Sequence, residues 1–407
     1  MISDLRELQR RTTDARGGAQ RVCWGPIWRE ARAWFAEEVA AMGLAAERDA
    51  AGNLWVRRPG RTRRAIAMGS HLDCVPSGGW LDGALGVVAA MEVLRAHPDP
   101  EVDLLCVDWA DEEGARFGRS LFGSAASAGT LDVEEVRGLK DRQGAALVDA
   151  LRENGIELDG VLDAKRYFDG LALDAYLELH IEQGPVLESW GKSTGVVLGT
   201  CGVERHKLRF VGQAAHAGSF PVPMRRDAFL AAAEAALAFR EIALKYVPRG
   251  VGAVCTVGVV DVEPRFVTAV PGACEISLDQ RALDADVLAA MHREAREAAA
   301  AAAKRNDVEV SWTPLLRITP RPFDPRLLQL CEEAVREATG DAPRLPSGPL
   351  HDASEMAAVV PTVMVFTSST RGLSHVRDED TPEQHLLEGI DAFFRLVDKT
   401  IAEVASR

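Results

Sequence analysis

Two hydrophobic patterns alternate along most of the chain. Short continuous apolar runs are typical of strands buried on both faces of a sheet, and apolar residues at intervals of three and four are typical of amphipathic helices. The apolar runs lie at 65–68, 102–107, 176–181 and 362–367, the helical pattern lies at 26–42, 84–94, 325–339 and 383–402, and a hairpin is predicted at 44–58. This alternation predicts an α/β architecture.

The pattern changes between residues 204 and 316. Strands are predicted there at 207–211, 251–262, 273–281 and 308–313, and long helices at 225–245 and 284–305. Two successive strand-helix-strand units in about a hundred residues are typical of a ferredoxin-like fold. We therefore expect a discontinuous first domain, 1–203 and 317–407, interrupted by a compact insert at 204–316.

Composition narrows the class of partner. The chain has 407 residues, which favours two domains, and 61 acidic against 47 basic residues give a net charge of -14. This balance argues against nucleic acid or an anionic membrane as the partner. Residues 1–21 lack the apolar segment of a signal peptide, and no apolar run is long enough to span a membrane, so we expect a cytoplasmic protein. Seven scattered cysteines without a Cys-x-x-Cys pair are expected to be reduced thiols.

Polar residues follow the predicted strands of the first domain. They are His71, Asp82, Glu113, His180 and His375. Because side chains at the carboxyl ends of strands in an α/β sheet meet at one edge, we expect these residues to lie close together. Imidazole and carboxylate groups could hold two adjacent divalent cations, and Asp82 is short enough to bridge them.

Each of these residues has a simpler explanation when it is taken alone. A lone histidine at a strand end is more often a hydrogen-bonded core or surface residue, and Asp111-Glu112-Glu113 could be a solvated acidic turn. Three of the nine histidines nevertheless fall in the set of strand-end residues. The coincidence favours a metal centre.

Two further carboxylates are expected to support the centre. Asp73 lies two residues after His71 and is expected to accept the second N–H of that imidazole, which would fix the ring. Adjacent carboxylates cannot both reach one ion comfortably, so Glu112 is expected to remain free beside Glu113 as a general base. A carboxylate base beside a metal-activated water is suited to hydrolysing an amide.

Several motifs occur in a fixed order along the chain. They are GSHLD at 69–73, GGWLDG at 78–83, DEEGARF at 111–117, ELHIEQGP at 178–185, HAG at 216–218 and GLSH at 372–375. Together they resemble the motifs of the hydantoinase/carbamoylase amidases. That family includes N-carbamoyl-L-amino-acid hydrolases, β-ureidopropionases and allantoate amidohydrolases, within the dinuclear zinc aminoacylase–carboxypeptidase clan.

The resemblance implies a mixed-sheet dinuclear metallohydrolase domain with an inserted ferredoxin-like α+β lid and dimerisation domain, and a homodimer. It implies two divalent metal ions per subunit, which could be Zn²⁺, Mn²⁺, Co²⁺ or Ni²⁺, because such ligands do not select one metal. It assigns the metal ligands and the base as above: His71, Asp82, Glu113, His180 and His375, with Glu112 as base.

The activity implied by the resemblance is hydrolysis of the carbamoyl C–N bond of an N-carbamoyl-L-amino acid or a related ureido acid. The substrate would be a small molecule with a free carboxylate. An N-acyl-L-amino acid amidohydrolase or dipeptidase, or an allantoate amidohydrolase, is the alternative within the same class. A binding protein that kept the fold and lost the chemistry is a third possibility, and the intact Glu112 argues against it.

The resemblance also assigns residues to the substrate. Gln183 would make a polar contact, His216 would reach across a dimer to stabilise the oxyanion, and Arg281 would bind the substrate carboxylate. Without the resemblance, His216 would be interpreted as a turn histidine and Arg281 as a surface arginine.

Departures from the family pattern lie in the same region. Thr268 stands where the family usually has an asparagine, and its hydroxyl is shorter. The family's GAGHDA motif, which includes His351, is GPLHDA at 348–353, and Pro349 has no backbone N–H. We therefore expect intact hydrolytic machinery and an unusual substrate.

Overall fold

The computed structural model describes residues 1–249 and 252–407. The chain forms two compact units. The first unit contains Met1–Leu198, Phe323–Arg344 and Leu350–Arg407, and the second contains Gly199–Pro322 and Leu345–Pro349. The predicted insert, 204–316, lies within the second unit, and its role as a lid and dimerisation domain stays a prediction.

Helices and strands alternate through the first unit. The helices are α1 Ile2–Thr12, α2 Pro26–Ala41, α3 Ala84–Ala96, α4 Phe122–Ala128, α5 Val133–Arg137, α6 Leu147–Glu153, α7 Asp163–Leu171, α8 Val186–Ser189, α9 Ala228–Tyr246, α10 Ala285–Arg305, α11 Pro325–Thr339, α12 Asp352–Met356 and α13 Glu383–Ala405. The strands are β1 Ala46–Arg48, β2 Leu54–Arg58, β3 Ala65–His71, β4 Asp103–Trp109, β5 Leu173–Ile181, β6 Thr194–Thr200, β7 Gly202–Val211, β8 Ala215–His216, β9 Val254–Thr256, β10 Val260–Glu263, β11 Ala269–Val270, β12 Ala273–Ala282, β13 Glu309–Ile318, β14 Arg321–Pro322, β15 Arg344–Ser347 and β16 Thr362–Thr367. Helices α9 and α10 belong to the second unit.

The sheet of the first unit is mixed, as predicted. Its strands lie in the order β1-β2-β4-β3-β5-β16-β6. The central strands β4, β3, β5 and β16 are parallel, whereas β1, β2 and β6 pair antiparallel with their neighbours. Every residue of β3 and β4 is buried, which explains why these strands are continuous apolar runs rather than alternating patterns. Helices α1, α2, α3, α11 and α13 supply the rest of this core.

The second unit has an antiparallel sheet with two helices on one face. Its strands lie in the order β10-β12-β7-β13, and β9 also pairs with β12. Apolar residues of β7 and β12, among them Leu208 and Leu278, pack with residues of α9 and α10 such as Phe239 and Met291. The predicted ferredoxin-like arrangement is therefore confirmed.

One predicted strand of the second unit is interrupted. The chain forms two short strands, β9 and β10, where the sequence predicts one strand over 251–262, and Val251 itself lies outside the described residues. Between them, the backbone N–H groups of Gly258 and Val259 donate to Ser277 Oγ at 3.2 and 3.0 Å. This side chain replaces the ladder acceptor, and the strand breaks there. Within the described part of the chain, no helix is both long and apolar enough to cross a bilayer.

The packing of α13 gives a test of the core of the first unit. Phe393 is fully buried in this core, whereas Leu387 on the same helix is 47% exposed. Phe393→Ala is expected to lower the free energy of unfolding by about 3–5 kcal/mol, because it removes buried area and leaves a cavity. Leu387→Ala should change it by less than about 0.5 kcal/mol in the same urea titration. Equal losses for the two variants would contradict the assigned core.

Candidate active site

The structure brings together the predicted ligands around Asp82. Asp82 Oδ1 lies 3.2 Å from His180 Nε2 and 3.9 Å from His71 Nε2. Asp82 Oδ2 lies 3.3 Å from His375 Nε2, which in turn lies 3.3 Å from Glu113 Oε2. The side chains therefore form two triads that share Asp82. We call them the inner triad, His71–Asp82–His180, and the loop triad, Asp82–Glu113–His375.

The sheet positions the inner triad. His71 is the last residue of β3 and His180 lies near the end of β5, and these strands are parallel neighbours. Asp82 lies on the turn that leads into α3. The next residue, Gly83, has φ +65°, and a Cβ there would collide with the His71 ring and carbonyl. The tight turn that places Asp82 beside the strands therefore requires glycine.

The donor atoms fit divalent cations. His71 Nδ1 lies 3.0 Å from the Asp73 carbonyl oxygen, and His180 Nδ1 lies 2.9 Å from the Ile181 carbonyl oxygen. These contacts leave both Nε2 atoms directed at Asp82. His180 Nε2 is buried and, despite its proximity to Asp82, has no partner with hydrogen-bond geometry. Imidazole nitrogens and carboxylate oxygens that converge in this way are typical ligands of zinc and similar transition metals.

Asp73 contacts His71 differently from the prediction. Its carbonyl oxygen, rather than its carboxylate, accepts from the ring, and Asp73 Oδ1 lies 3.6 Å from His71 Nδ1. The prediction assumed an extended chain after His71, but β3 ends at that residue. The Asp73 carboxylate instead accepts the backbone N–H groups of Glu112 and Glu113 at 3.3 and 3.2 Å. It thereby holds the segment that carries the predicted base and one ligand.

Glu112 lies beside the inner triad but belongs to neither triad. Its Oε2 atom is 3.7 Å from His71 Nε2, and the residue is buried. Burial, followed by the charges of Asp352 and Glu113, raises the pKa of Glu112 well above its ordinary value. A carboxylate with raised proton affinity next to a metal position is suited to take a proton from water.

Gln183 contacts the loop triad. Its Nε2 atom donates to Asp82 Oδ2 at 2.9 Å and to Ser374 Oγ at 3.1 Å. Its Oε1 atom is buried without a hydrogen-bond partner among the described residues. The predicted contact with substrate therefore falls to Oε1, because the amide N–H groups already serve the protein.

His351 lies next to the inner triad. Its ring is buried and its centroid is 4.4 Å from that of His180, and its Nε2 atom has no hydrogen-bond partner in the described chain. Burial lowers the pKa of His351 well below its ordinary value, and the nearby His180 lowers it further. A neutral imidazole with an unpartnered nitrogen is available to a ligand, and its role in substrate binding stays a prediction.

Two buried carboxylates of this site were missed by sequence reasoning. Glu178 accepts from Ser70 Oγ at 2.9 Å and from the Ala353 N–H at 3.1 Å, behind the His180 ring. Its position two residues before His180 on β5 is the signal that could have identified it, because alternate residues of a strand share a face. Glu379 accepts from Asp82 N at 3.0 Å. It lies in a loop, where no periodic pattern marks it.

The remaining predicted residues lie in the second unit. Pairing of β8 with β11 places His216 opposite Ala269, next to Thr268. His216 Nδ1 accepts the N–H groups of Gly218 and Ser219 at 3.1 and 3.2 Å, so the neutral ring carries its proton on Nε2.

Arg281, on β12, is held by two contacts within the second unit. Its Nε atom donates to Asp279 Oδ1 and its Nη1 atom to the Gly348 carbonyl, both at 2.9 Å. These contacts fix the guanidinium in one orientation. Its predicted role, binding a substrate carboxylate, stays a prediction.

A separate polar group in the second unit, Glu204–His206–His292, has less suitable geometry for a metal. The two imidazole rings are stacked at 4.4 Å with an interplanar angle of 19°. In-plane lone pairs of nearly parallel rings do not converge on one ion. Glu204 is already paired with His206 at 3.0 Å and with Arg317 at 2.5 Å. This group is better explained as a buried ion-pair cluster.

Comparisons with known proteins agree with this architecture. Residues 67–399 match Peptidase family M20/M25/M40. An N-carbamoyl-L-amino acid amidohydrolase of Geobacillus stearothermophilus is 34% identical over 94% of this chain and 93% of its own length. An allantoate amidohydrolase of Escherichia coli is 32% identical over 93% of this chain and 92% of its own length.

A solved structure extends the similarity to the fold. The hydantoinase/carbamoylase family amidase of Burkholderia multivorans has a TM-score of 0.89 and 30% identity, covering 100% of this chain and 97% of that chain. The similarity thus includes both units and all the motifs that carry the two triads. The chain belongs to Peptidase family M20/M25/M40 and, within it, to the hydantoinase/carbamoylase amidases.

Proposed function

We propose that this protein is a metal-dependent amidohydrolase that cleaves the carbamoyl (ureido) C–N bond of an N-carbamoyl-L-amino acid or a related ureido acid. The observation that carries the proposal is the shared Asp82 carboxylate, with one oxygen facing each triad and the buried Glu112 beside them. The ureido class is supported by the relatives, whose names include N-carbamoyl-L-amino acid and allantoate amidohydrolases.

The two triads are proposed to hold two divalent cations per subunit. His71 and His180 would bind one cation, Glu113 and His375 the other, and Asp82 both. The mixed imidazole and carboxylate donors suit Zn²⁺, Mn²⁺, Co²⁺ or Ni²⁺. Such a cation lowers the pKa of water and polarises a carbonyl group.

Glu112 is proposed as the general base. It takes a proton from the attacking water, whose oxygen bonds to the ureido carbonyl carbon. The same proton then passes from Glu112 to the leaving nitrogen as the C–N bond breaks. Asp73 supports this step by holding the backbone N–H of Glu112, and burial keeps bulk water away from the carboxylate.

Substrate binding is proposed for residues of both units. The Arg281 guanidinium would pair with the substrate carboxylate, and the His216 Nε2–H would donate to the oxyanion. Gln183 Oε1 and the unpartnered Nε2 of His351 would accept substrate N–H groups or donate to oxygens according to tautomer. Thr268 would replace the asparagine of the family with a shorter donor.

A homodimer is also proposed, and α9 offers a surface for it. Leu230, Leu237 and Leu244 are 49%, 69% and 47% exposed, and their spacing of seven residues places them on one face of the helix. An exposed apolar stripe of this kind is typical of an interface between subunits. A dimer is also what the family resemblance implies for His216.

Charge placed in this stripe tests the dimer. Leu237→Glu is expected to shift the protein from dimer to monomer in size-exclusion chromatography with light scattering, because a carboxylate would be buried against apolar side chains. Ala300→Glu adds the same charge at an exposed position of α10 and should leave the mass unchanged. A Leu237→Glu variant that keeps the wild-type mass would contradict the proposed surface.

A substrate panel tests the reaction. N-carbamoyl, N-acetyl and N-formyl amino acids and allantoate would be assayed with Zn²⁺ or Mn²⁺, and turnover is expected on ureido substrates. Glu112→Gln should lower kcat by about 10²–10⁴-fold, because the amide cannot take the proton from water. Its metal content should equal that of the wild type, since Glu112 lies outside both triads.

The panel also separates the alternatives. Activity confined to N-acetyl or N-formyl substrates would favour an N-acyl amino acid amidohydrolase, and activity confined to allantoate would favour the function named for the Escherichia coli relative. Unchanged kcat in Glu112→Gln would refute the assigned base.

A further inference from the structure

The two triads differ in how firmly their histidines are held. His71 and His180 are almost fully buried on strands of the sheet. His375 has a side chain that is 50% exposed, and its backbone has φ +59°, a region that non-glycine residues seldom adopt. The position of His375 therefore depends on the contacts of its loop rather than on the sheet.

Glu379 supplies those contacts through one buried carboxylate. Its Oε1 atom accepts the backbone N–H groups of Leu81 and Asp82 at 3.2 and 3.0 Å. Its Oε2 atom accepts the hydroxyl of Ser374 at 2.8 Å. One side chain thus ties the turn that carries Asp82 to the residue immediately before His375.

The local sequence accommodates this contact. A Cβ at Gly79 would collide with the Glu379 carboxylate, so the turn at 78–82 requires glycine where the carboxylate lies against it. Trp80 Nε1 donates to Asp380 Oδ1 at 3.2 Å and forms a second link between the same two segments. Ser374 Oγ also lies 3.2 Å from Asp82 Oδ2, the oxygen that faces the loop triad.

We propose that Glu379 is a positioning residue that sets the separation of Asp82 Oδ2 and His375 Nε2, and thereby the cation affinity of the loop triad. The proposal rests on the metal centre of the proposed function, but not on the identity of the substrate. The inner triad does not depend on this link, because its histidines are held by β3 and β5. Loss of Glu379 should therefore weaken one of two cation sites selectively.

Zn²⁺ affinity measured by competition with a chromophoric chelator tests this proposal. Glu379→Gln keeps an oxygen for the two N–H groups but replaces the acceptor of the Ser374 hydroxyl with an amide NH₂ group. Ser374→Ala removes the hydroxyl itself. Each variant is expected to bind one of two Zn²⁺ equivalents about 10–100-fold more weakly, with the other equivalent unchanged. Excess Zn²⁺ should restore kcat, and KM at saturating metal should stay at the wild-type value.

Asp49→Asn provides a matched control. Asp49 is also a buried carboxylate that holds a turn, since it accepts the N–H groups of Ala51 and Asn53 at 2.9 and 3.0 Å. It touches neither triad, so this variant should lower the unfolding temperature without changing either Zn²⁺ affinity. The metal-free Glu379→Gln protein should unfold within a few degrees of the wild type.

Three results would decide against the proposal. Unchanged affinity in Glu379→Gln and Ser374→Ala would remove the positioning role. Equal weakening of both equivalents, with early unfolding of the metal-free protein, would leave Glu379 a merely structural role. A wild type that binds fewer than two equivalents would refute the metal centre itself. A wild type that binds two equivalents but cleaves no ureido acid would refute the proposed reaction and leave the role of Glu379 standing.

Discussion

The site depends on one buried carboxylate that is shared between two groups of ligands. Although burial raises its pKa, contacts from His180 and His375 hold the pKa of Asp82 well below its ordinary value, so it stays ionised. Around it, burial and neighbouring negative charges raise the pKa of Glu112 and of Glu113. Buried carboxylates this close together repel one another unless positive charge compensates them. Two divalent cations would supply that charge where the imidazole nitrogens and carboxylate oxygens converge.

The scaffold divides the work between rigid and adjustable elements. Parallel strands β3 and β5 hold the inner triad, and Asp73 links the end of β3 to the segment that carries Glu112 and Glu113. The loop after β16 brings only His375, and Glu379 fixes that loop to the turn before α3. The chemistry of the proposed base therefore rests on the sheet, while the affinity of the second cation site rests on one loop contact.

Much of this could be predicted from the sequence, because the strand ends were marked by continuous apolar runs. His71 and His180 follow from that pattern alone, and the antiparallel second unit follows from its alternating strands and long helices. The acceptor for His71 could not be predicted correctly, because the spacing argument assumed that the strand continued to Asp73. Glu379 and the break between β9 and β10 could not be found either. Both arise from side chains that replace or tie backbone groups distant in sequence, and no periodicity records them.

The central claim is that Asp82 bridges two cations. Anomalous diffraction at the zinc edge from crystals of the Zn²⁺-loaded protein tests it most directly. We expect two peaks, each about 2.0–2.2 Å from one oxygen of Asp82, one next to His71 and His180 and the other next to Glu113 and His375. A single peak that leaves one Asp82 oxygen unliganded, or peaks at Glu204, His206 and His292 instead, would contradict the account.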